Sequence, residues 1–239
     1  MFARTNEAPV LLLGAAHVVD LAGPLREALE GRTLDAVAVE LDAERAAVLL
    51  APEGTATRAA GAPLFARLWG SIQRRLGAEI GGGAPGDEMK IAAEVAKERD
   101  LPLFLIDDPI RVTLGNLVRT MPFKERVLLL ASAVVGLFVP SRVVEREMDR
   151  YSESPEEYTQ ELRSTSPTLA KVLLDDRNEH MAQRLAELRT RGYGRVAAVV
   201  GDAHVAGLAS SLRRRGVPVE SISFRELRAA ATAPRSRPS

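Results

Sequence analysis

Five short apolar runs constrain this chain more than any other feature of its sequence. Residues 10–13, 36–40, 103–106, 196–200 and 217–222 have strand character, and stretches with helical spacing lie between them at 21–30, 43–50, 86–99 and 203–215. The helical stretches end near glycine or proline, as helix-stop signals require. Alternation of this kind predicts βα units, hence an α/β fold with a mostly parallel sheet flanked by helices. The middle differs. From about 110 to 191 no convincing strand is found, only helical segments punctuated by Pro122, Pro140, Pro155 and Pro167. The expected organisation is therefore two βα halves joined by a helical insert within a single domain over 1–228. With 239 residues and 46% hydrophobic content the chain can bury a full core. The alanine, proline, serine and arginine of 229–239 predict a disordered tail.

Composition removes several functions. Lysine plus arginine (32) balance aspartate plus glutamate (32), so net charge points neither to nucleic acid nor to an anionic membrane. Aromatic residues at 4% are too few for a base-stacking surface. Without cysteine there is no disulfide framework, thiolate metal site or cysteine nucleophile, so any metal must use histidine and oxygen ligands. Residues 1–9 lack the basic-then-apolar pattern of a signal segment, which predicts a cytoplasmic protein. The longest apolar run, 127–139, is shorter than the ~20 residues of a membrane span. It predicts a buried helix, with a homodimer contact as its second use. Two segments, 51–61 and 81–86, are irregular and turn-rich; the second is open to a lid or phosphate cradle but lacks the ending of a phosphate-binding loop, so it reads as a connector.

In an open parallel sheet, ligands bind outside the carboxyl ends of the strands. The first strand runs into Gly14-Ala15-Ala16-His17, the second ends at Glu40, the third at Asp107-Asp108, and the fourth runs into Gly201-Asp202-Ala203-His204. Two of the three histidines thus follow equivalent Gly-x-x-His turns. Glycine at the head of each turn is expected to permit an unusual dihedral and a close backbone approach. Imidazole with carboxylate oxygens suits manganese, cobalt, zinc or iron. Glu40 is open to two readings, an ion pair with Arg45 or metal ligation and general-base work, and the second is preferred. Asp107 is equally open, to a pair with Arg111 or a catalytic role. In the run 175–181, His180 reads as part of a solvated face, and local sequence leaves Arg177 undecided.

Taken together, these motifs resemble the TraB family, which is related to pheromone-shutdown proteins and more distantly to Tiki-type metalloproteases and to the erythromycin esterase and ChaN-like folds. The resemblance is carried by Leu12-Leu13-Gly14-Ala15-Ala16-His17, Val39-Glu40-Leu41 with Arg45, and Gly86-Asp87-Glu88-Met89. It continues through Leu105-Ile106-Asp107 with 110–114, Asp176-Arg177-Asn178 with Met181-Ala182, and the run from Val199 to Gly207. It implies a duplicated α/β fold with a metal-dependent hydrolytic site at the two Gly-x-x-His turns. It also places His17, Glu40, Glu88, Arg177 and His204 at that site, with Gly14, Gly201, Arg45, Asp107 and Arg111 in support. Three departures stand out. The family's Asp-Arg is Asp107-Asp108 here, its Glu-Arg-Asp is Asp176-Arg177-Asn178, and the transmembrane helices of many relatives have no counterpart in this sequence.

The resulting expectation is a metal-dependent hydrolase of a peptide or another acyl bond. His17, His204 and Glu40 would hold a divalent ion (Mn, Co or Zn) that acidifies bound water, Glu88 or Glu40 would take the proton, and Arg177 would stabilise the oxyanion. The rival is a protein that sequesters a peptide or small ligand in the same cleft without turnover, suggested by the altered groups at Asp108 and Asn178. A structural or assembly module built on the 127–139 helix is the third reading.

Overall fold

The computed structural model of the chain describes residues 8–15, 21–51, 86–127 and 155–232. Its centre is a five-stranded, all-parallel sheet: β1 (Val10–Ala15), β2 (Ala36–Val39), β3 (Leu103–Leu105), β4 (Val196–Gly201) and β5 (Val219–Ile222), in the order β3-β2-β4-β1-β5. Each strand coincides with an apolar run of the sequence to within two residues at either end. Because successive side chains point to opposite faces, the runs divide between two cores. Leu11, Leu13, Val37, Val39, Ala197 and Val199 face one layer, and Val10, Leu12, Ala36, Ala38, Ala198 and Val200 face the other.

The first layer is built by α1 (Ala22–Glu30), α3 (Asp87–Glu98) and the last helix, α9 (Phe224–Thr232), through Leu25, Leu29, Met89, Val95, Phe224 and Leu227. Helix α2 (Ala43–Leu49) caps its edge, with Ala46 buried in the same core. The second layer is built by α7 (Asp176–Thr190) and α8 (Asp202–Arg214), through Met181, Leu185, Leu208 and Leu212. Among the described residues of 110–191 there is no strand. The described part of the insert comprises α4 (Ile110–Thr120), a short helical stretch at 123–127, α5 (Pro155–Thr165), α6 (Pro167–Ala170) and a π-helical turn, Lys171–Asp175, which runs directly into α7. Most of the apolar run 127–139 lies outside the described residues, and with it the expected buried helix. The turn-rich segments 51–61 and 81–86 are described only at Ala51 and Gly86. Among the described residues no helix is long and apolar enough to cross a membrane. One boundary moves: α9 extends to Thr232, so residues 229–232 are helical where the sequence predicts tail.

The topology explains why the strand ends converge. Strand β4 separates β1 from β2, and β1 separates β4 from β5. Exchanging β1 with β4 and β2 with β5 maps these strands onto themselves, as two interleaved βα halves require. The neighbouring strands β1 and β4 therefore send their following helices, α1 and α8, to opposite faces of the sheet. That is a topological switch point, where an open parallel sheet forms its crevice. Gly14 and Gly201 stand at it, Gly14 beside Val200 and Ala15 beside Gly201.

Candidate functional site

Glu40 follows β2 directly, and one backbone N–H and two side chains from three other elements meet it. Its Oε2 accepts the Gly201 N–H at the end of β4 (2.6 Å), and its Oε1 accepts from Nη2 of Arg177 in the first turn of α7. The same Oε1 lies 3.4 Å from Nε2 of His204 in the first turn of α8. Arg177 also holds Asp107 with two donors, Nε to Oδ1 at 3.0 Å and Nη2 to Oδ2 at 2.6 Å. Its Nη1 donates to the Leu173 carbonyl (3.3 Å) and lies 3.1 Å from His204 Nε2. Leu173 belongs to the π-helical turn, a local widening of the helix that brings this carbonyl within reach of the guanidinium.

His204 is held by its other nitrogen. Nδ1 lies 2.8 Å from the Asn178 Oδ1. An amide oxygen can only accept, so Nδ1 carries the proton and Nε2 presents its lone pair to Arg177 and the space beside Glu40. Asn178 reaches the ring by passing over Gly207, where an added Cβ would sit 2.2 Å from the Asn178 Nδ2.

Burial dominates the electrostatics, and the charges decide which way each group yields. Burial pushes the His204 imidazole below its ordinary value, and Arg177 adds to this while Glu40 opposes it. The net effect is a neutral ring. Burial would raise the Glu40 carboxyl, but the Arg177 guanidinium and the Gly201 N–H hold it below the usual carboxylate range. Burial likewise opposes ionisation of Asp107, yet the Arg177 and Arg45 guanidinium groups bring it down to about 2. Side-chain exposure is 16% for Arg177, 11% for Glu40 and 6% for His204, so these interactions are weakly screened.

These observations give the motif order noted in the sequence a spatial meaning, and comparison with known proteins agrees with it. The sequence profile of the TraB/PrgY/gumN family matches residues 3–221. The chain belongs to this family. Among curated proteins, an uncharacterized protein of Methanocaldococcus jannaschii is 30% identical over 223 residues, 90% of this chain and 56% of that protein. The chain thus spans about half the length of the curated relative it matches.

Within this TraB/PrgY/gumN chain the structure brings together Glu40, Asp107, Arg177, Gly201 and His204, with Arg45 beside them. His17 lies outside the described residues. Glu88 is buried in the first turn of α3. Two ion pairs weighed as alternatives are not formed, and one expectation needs correction. Arg45 does not pair with Glu40: its Nε and backbone N–H donate to Asp42 at 2.8 Å each, and its Nη2 donates to Asp107. Arg111 does not pair with Asp107 but is 72% exposed and faces Glu44 at 3.3 Å. Finally, neither turn glycine adopts a left-handed conformation, and Gly201 has φ −58°. Close approach alone accounts for them. A Cβ at Gly14 would sit 2.2 Å from Asp202 Oδ1, the atom that accepts the Phe224 N–H and so caps α9, and one at Gly201 would press on Glu40 Oε2 at 3.3 Å.

Sequence reasoning passed over Asp42 and gave no positioning role to Asn178 or Gly207. Asp42 caps α2 and also accepts the Ile110 N–H at 3.2 Å, fixing Arg45 between two elements. A usable signal existed for Gly207: it follows His204 by three residues, and a small residue on the same helical face marks where another side chain can approach. His180, read as part of a solvated face, places Nδ1 3.3 Å from Asp108 Oδ1.

The described donors do not fit a divalent ion while Arg177 stands among them. The guanidinium touches both Glu40 Oε1 and His204 Nε2, the two atoms an ion would have to bridge, while Glu40 Oε2 and His204 Nδ1 are already committed to Gly201 and Asn178.

Proposed function

We propose that this chain is a hydrolase of a peptide or another acyl bond, with its reacting centre beside Glu40, Arg177 and His204. The supporting observation is the oriented imidazole: Asn178 fixes the Nδ1 proton, so Nε2 is a base 3.4 Å from an ionised carboxylate. In the reaction we envisage, His204 Nε2 takes a proton from water and the resulting hydroxide adds to the acyl carbon. Glu40 stabilises the imidazolium, and the nearby positive charge of Arg177 stabilises the developing oxyanion electrostatically. The proton then passes from Nε2 to the departing nitrogen or oxygen as its bond to carbon breaks. No step passes through a metal.

The test is turnover of fluorogenic peptide and ester libraries by the purified chain, in chelator and with added Mn, Co or Zn. Hydrolysis that falls at least ~100-fold in His204→Ala supports the proposal, this being the lower end of what a positioned base contributes. Ligand capture without product under every condition favours sequestration instead.

A further inference from the structure

We infer that Arg177 is the resident cation of this site, and that Glu40, Asp107 and His204 form a latent divalent-metal site which its guanidinium keeps closed. A guanidinium carries five N–H donors. Here each has an acceptor: Nε has Asp107 Oδ1, Nη2 has Asp107 Oδ2 and Glu40 Oε1, and Nη1 has the Leu173 carbonyl and His204 Nε2. Three of these acceptor groups are the types that bind first-row divalent ions, two carboxylates and a neutral imidazole.

With the guanidinium in place the described residues form no group of three that could hold a metal, yet one pair already has the spacing of two ligands of one ion. Two ligands each ~2.0–2.2 Å from one tetrahedral ion stand roughly 3.3–3.6 Å apart, and Glu40 Oε1 and His204 Nε2 are separated by 3.4 Å. The imidazole is already turned, since Asn178 Oδ1 holds Nδ1 at 2.8 Å and leaves Nε2 facing Glu40 and Arg177. A hydrogen bond of this kind, behind a metal-binding ring, is what orients histidine ligands. What excludes the ion is a like charge in direct contact with every donor, at a place where solvent screens little. The inference concerns ion binding alone and stands whether or not the site turns over a substrate.

Calorimetric titration with Mn, Co and Zn chlorides, backed by the visible spectrum of bound Co, separates the outcomes. The natural chain is expected to take up no ion at this site. Arg177→Met should bind one ion at least about 100-fold more tightly than the natural chain, and the added substitution His204→Ala should abolish that gain. If the methionine variant does not fold, Arg177→Gln, which keeps a donor for Asp107 without the charge, takes its place. Ion uptake by the natural chain that disappears in His204→Ala would overturn the inference. So would a folded Arg177→Met or Arg177→Gln protein that binds none of the three ions.

Discussion

The two ends of the sheet use the same residue types to different effect. At the amino ends of the strands, Arg195 pairs with Asp35 and Arg32 pairs with Glu220, one arginine to one carboxylate, beside a cavity of about 240 Å³. Arg195 is 43% exposed and Arg32 38%. At the carboxyl ends a single arginine, 16% exposed, serves two carboxylates and an imidazole. Exposed pairs contribute little to stability, whereas breaking a buried one strands charge in a poorly solvated place. The first arrangement ties loops together. The second concentrates charge, a base and an oriented ring in one crevice, which a fold does not need for its own stability.

The largest effect should come from removing the shared cation. Arg177→Met leaves Glu40 and Asp107 facing one another without it, and should cost roughly 3–5 kcal/mol in urea unfolding at neutral pH without added ions. A loss no greater than that of Arg32→Met would erase the distinction between the two ends. Next comes the glycine that lets Asn178 through. Gly207→Ala puts a Cβ 2.2 Å from the Asn178 amide and should cost about 2–3 kcal/mol, near the upper end for overpacking. Gly115→Ala, within α4 and with nothing within 4 Å, should instead stabilise by roughly 0.4–1 kcal/mol. The pair of variants separates a steric requirement of the site from the general effect of replacing glycine in a helix.

How much of this was legible beforehand follows from what acts locally. The strands were readable because an apolar run flanked by polar residues has few alternatives, and helix α3 because its apolar residues recur on one face up to Arg99. The rim of Glu40, Asp107 and His204 was readable because a residue's place at a strand end is also local. Pairing was not. Arg45, five residues from Glu40, was the only ion-pair partner the local sequence offered as the alternative to metal ligation or general-base work, yet Glu40 takes Arg177 from the far side of the insert. That choice depends on β4 lying next to β2 and on α7 crossing the same face, both set by tertiary packing. Asn178 was judged by the acid it lacks, because only the folded chain shows that an amide oxygen serves to orient His204.

Acid sharpens the comparison next. The Asp107 carboxyl lies at about 2 when folded, against 3.8 unperturbed. Because the folded value is depressed, its contribution is fully present above about pH 4 and is lost as pH falls toward 2, amounting to about 2 kcal/mol. His204 acts earlier. Its folded value is lowered from 6.5, so below that pH the unfolded ring takes up a proton that the buried ring refuses, and stability begins to fall there. Urea midpoints measured from pH 7 to pH 2 should therefore decline in two stages. In His204→Ala the upper stage should vanish while the lower persists. A single decline confined to pH 4–5, as ordinary exposed carboxylates would give, contradicts the buried arrangement.

The smallest effect is expected at the opposite end. Glu220 receives both terminal nitrogens of Arg32, at 2.5 and 2.8 Å, a geometry as good as any in the crevice. If geometry set the value of an ion pair, Glu220→Gln would be costly. Both partners, however, keep more than a third of their side-chain surface in water, where hydration replaces most of what the pair supplies and salt screens the remainder. Glu220→Gln should therefore change the urea midpoint by the equivalent of less than about 1 kcal/mol, and by less still in 1 M salt. A loss comparable to that of Arg177→Met, unaffected by salt, would mean that burial is not what separates the two ends of the sheet.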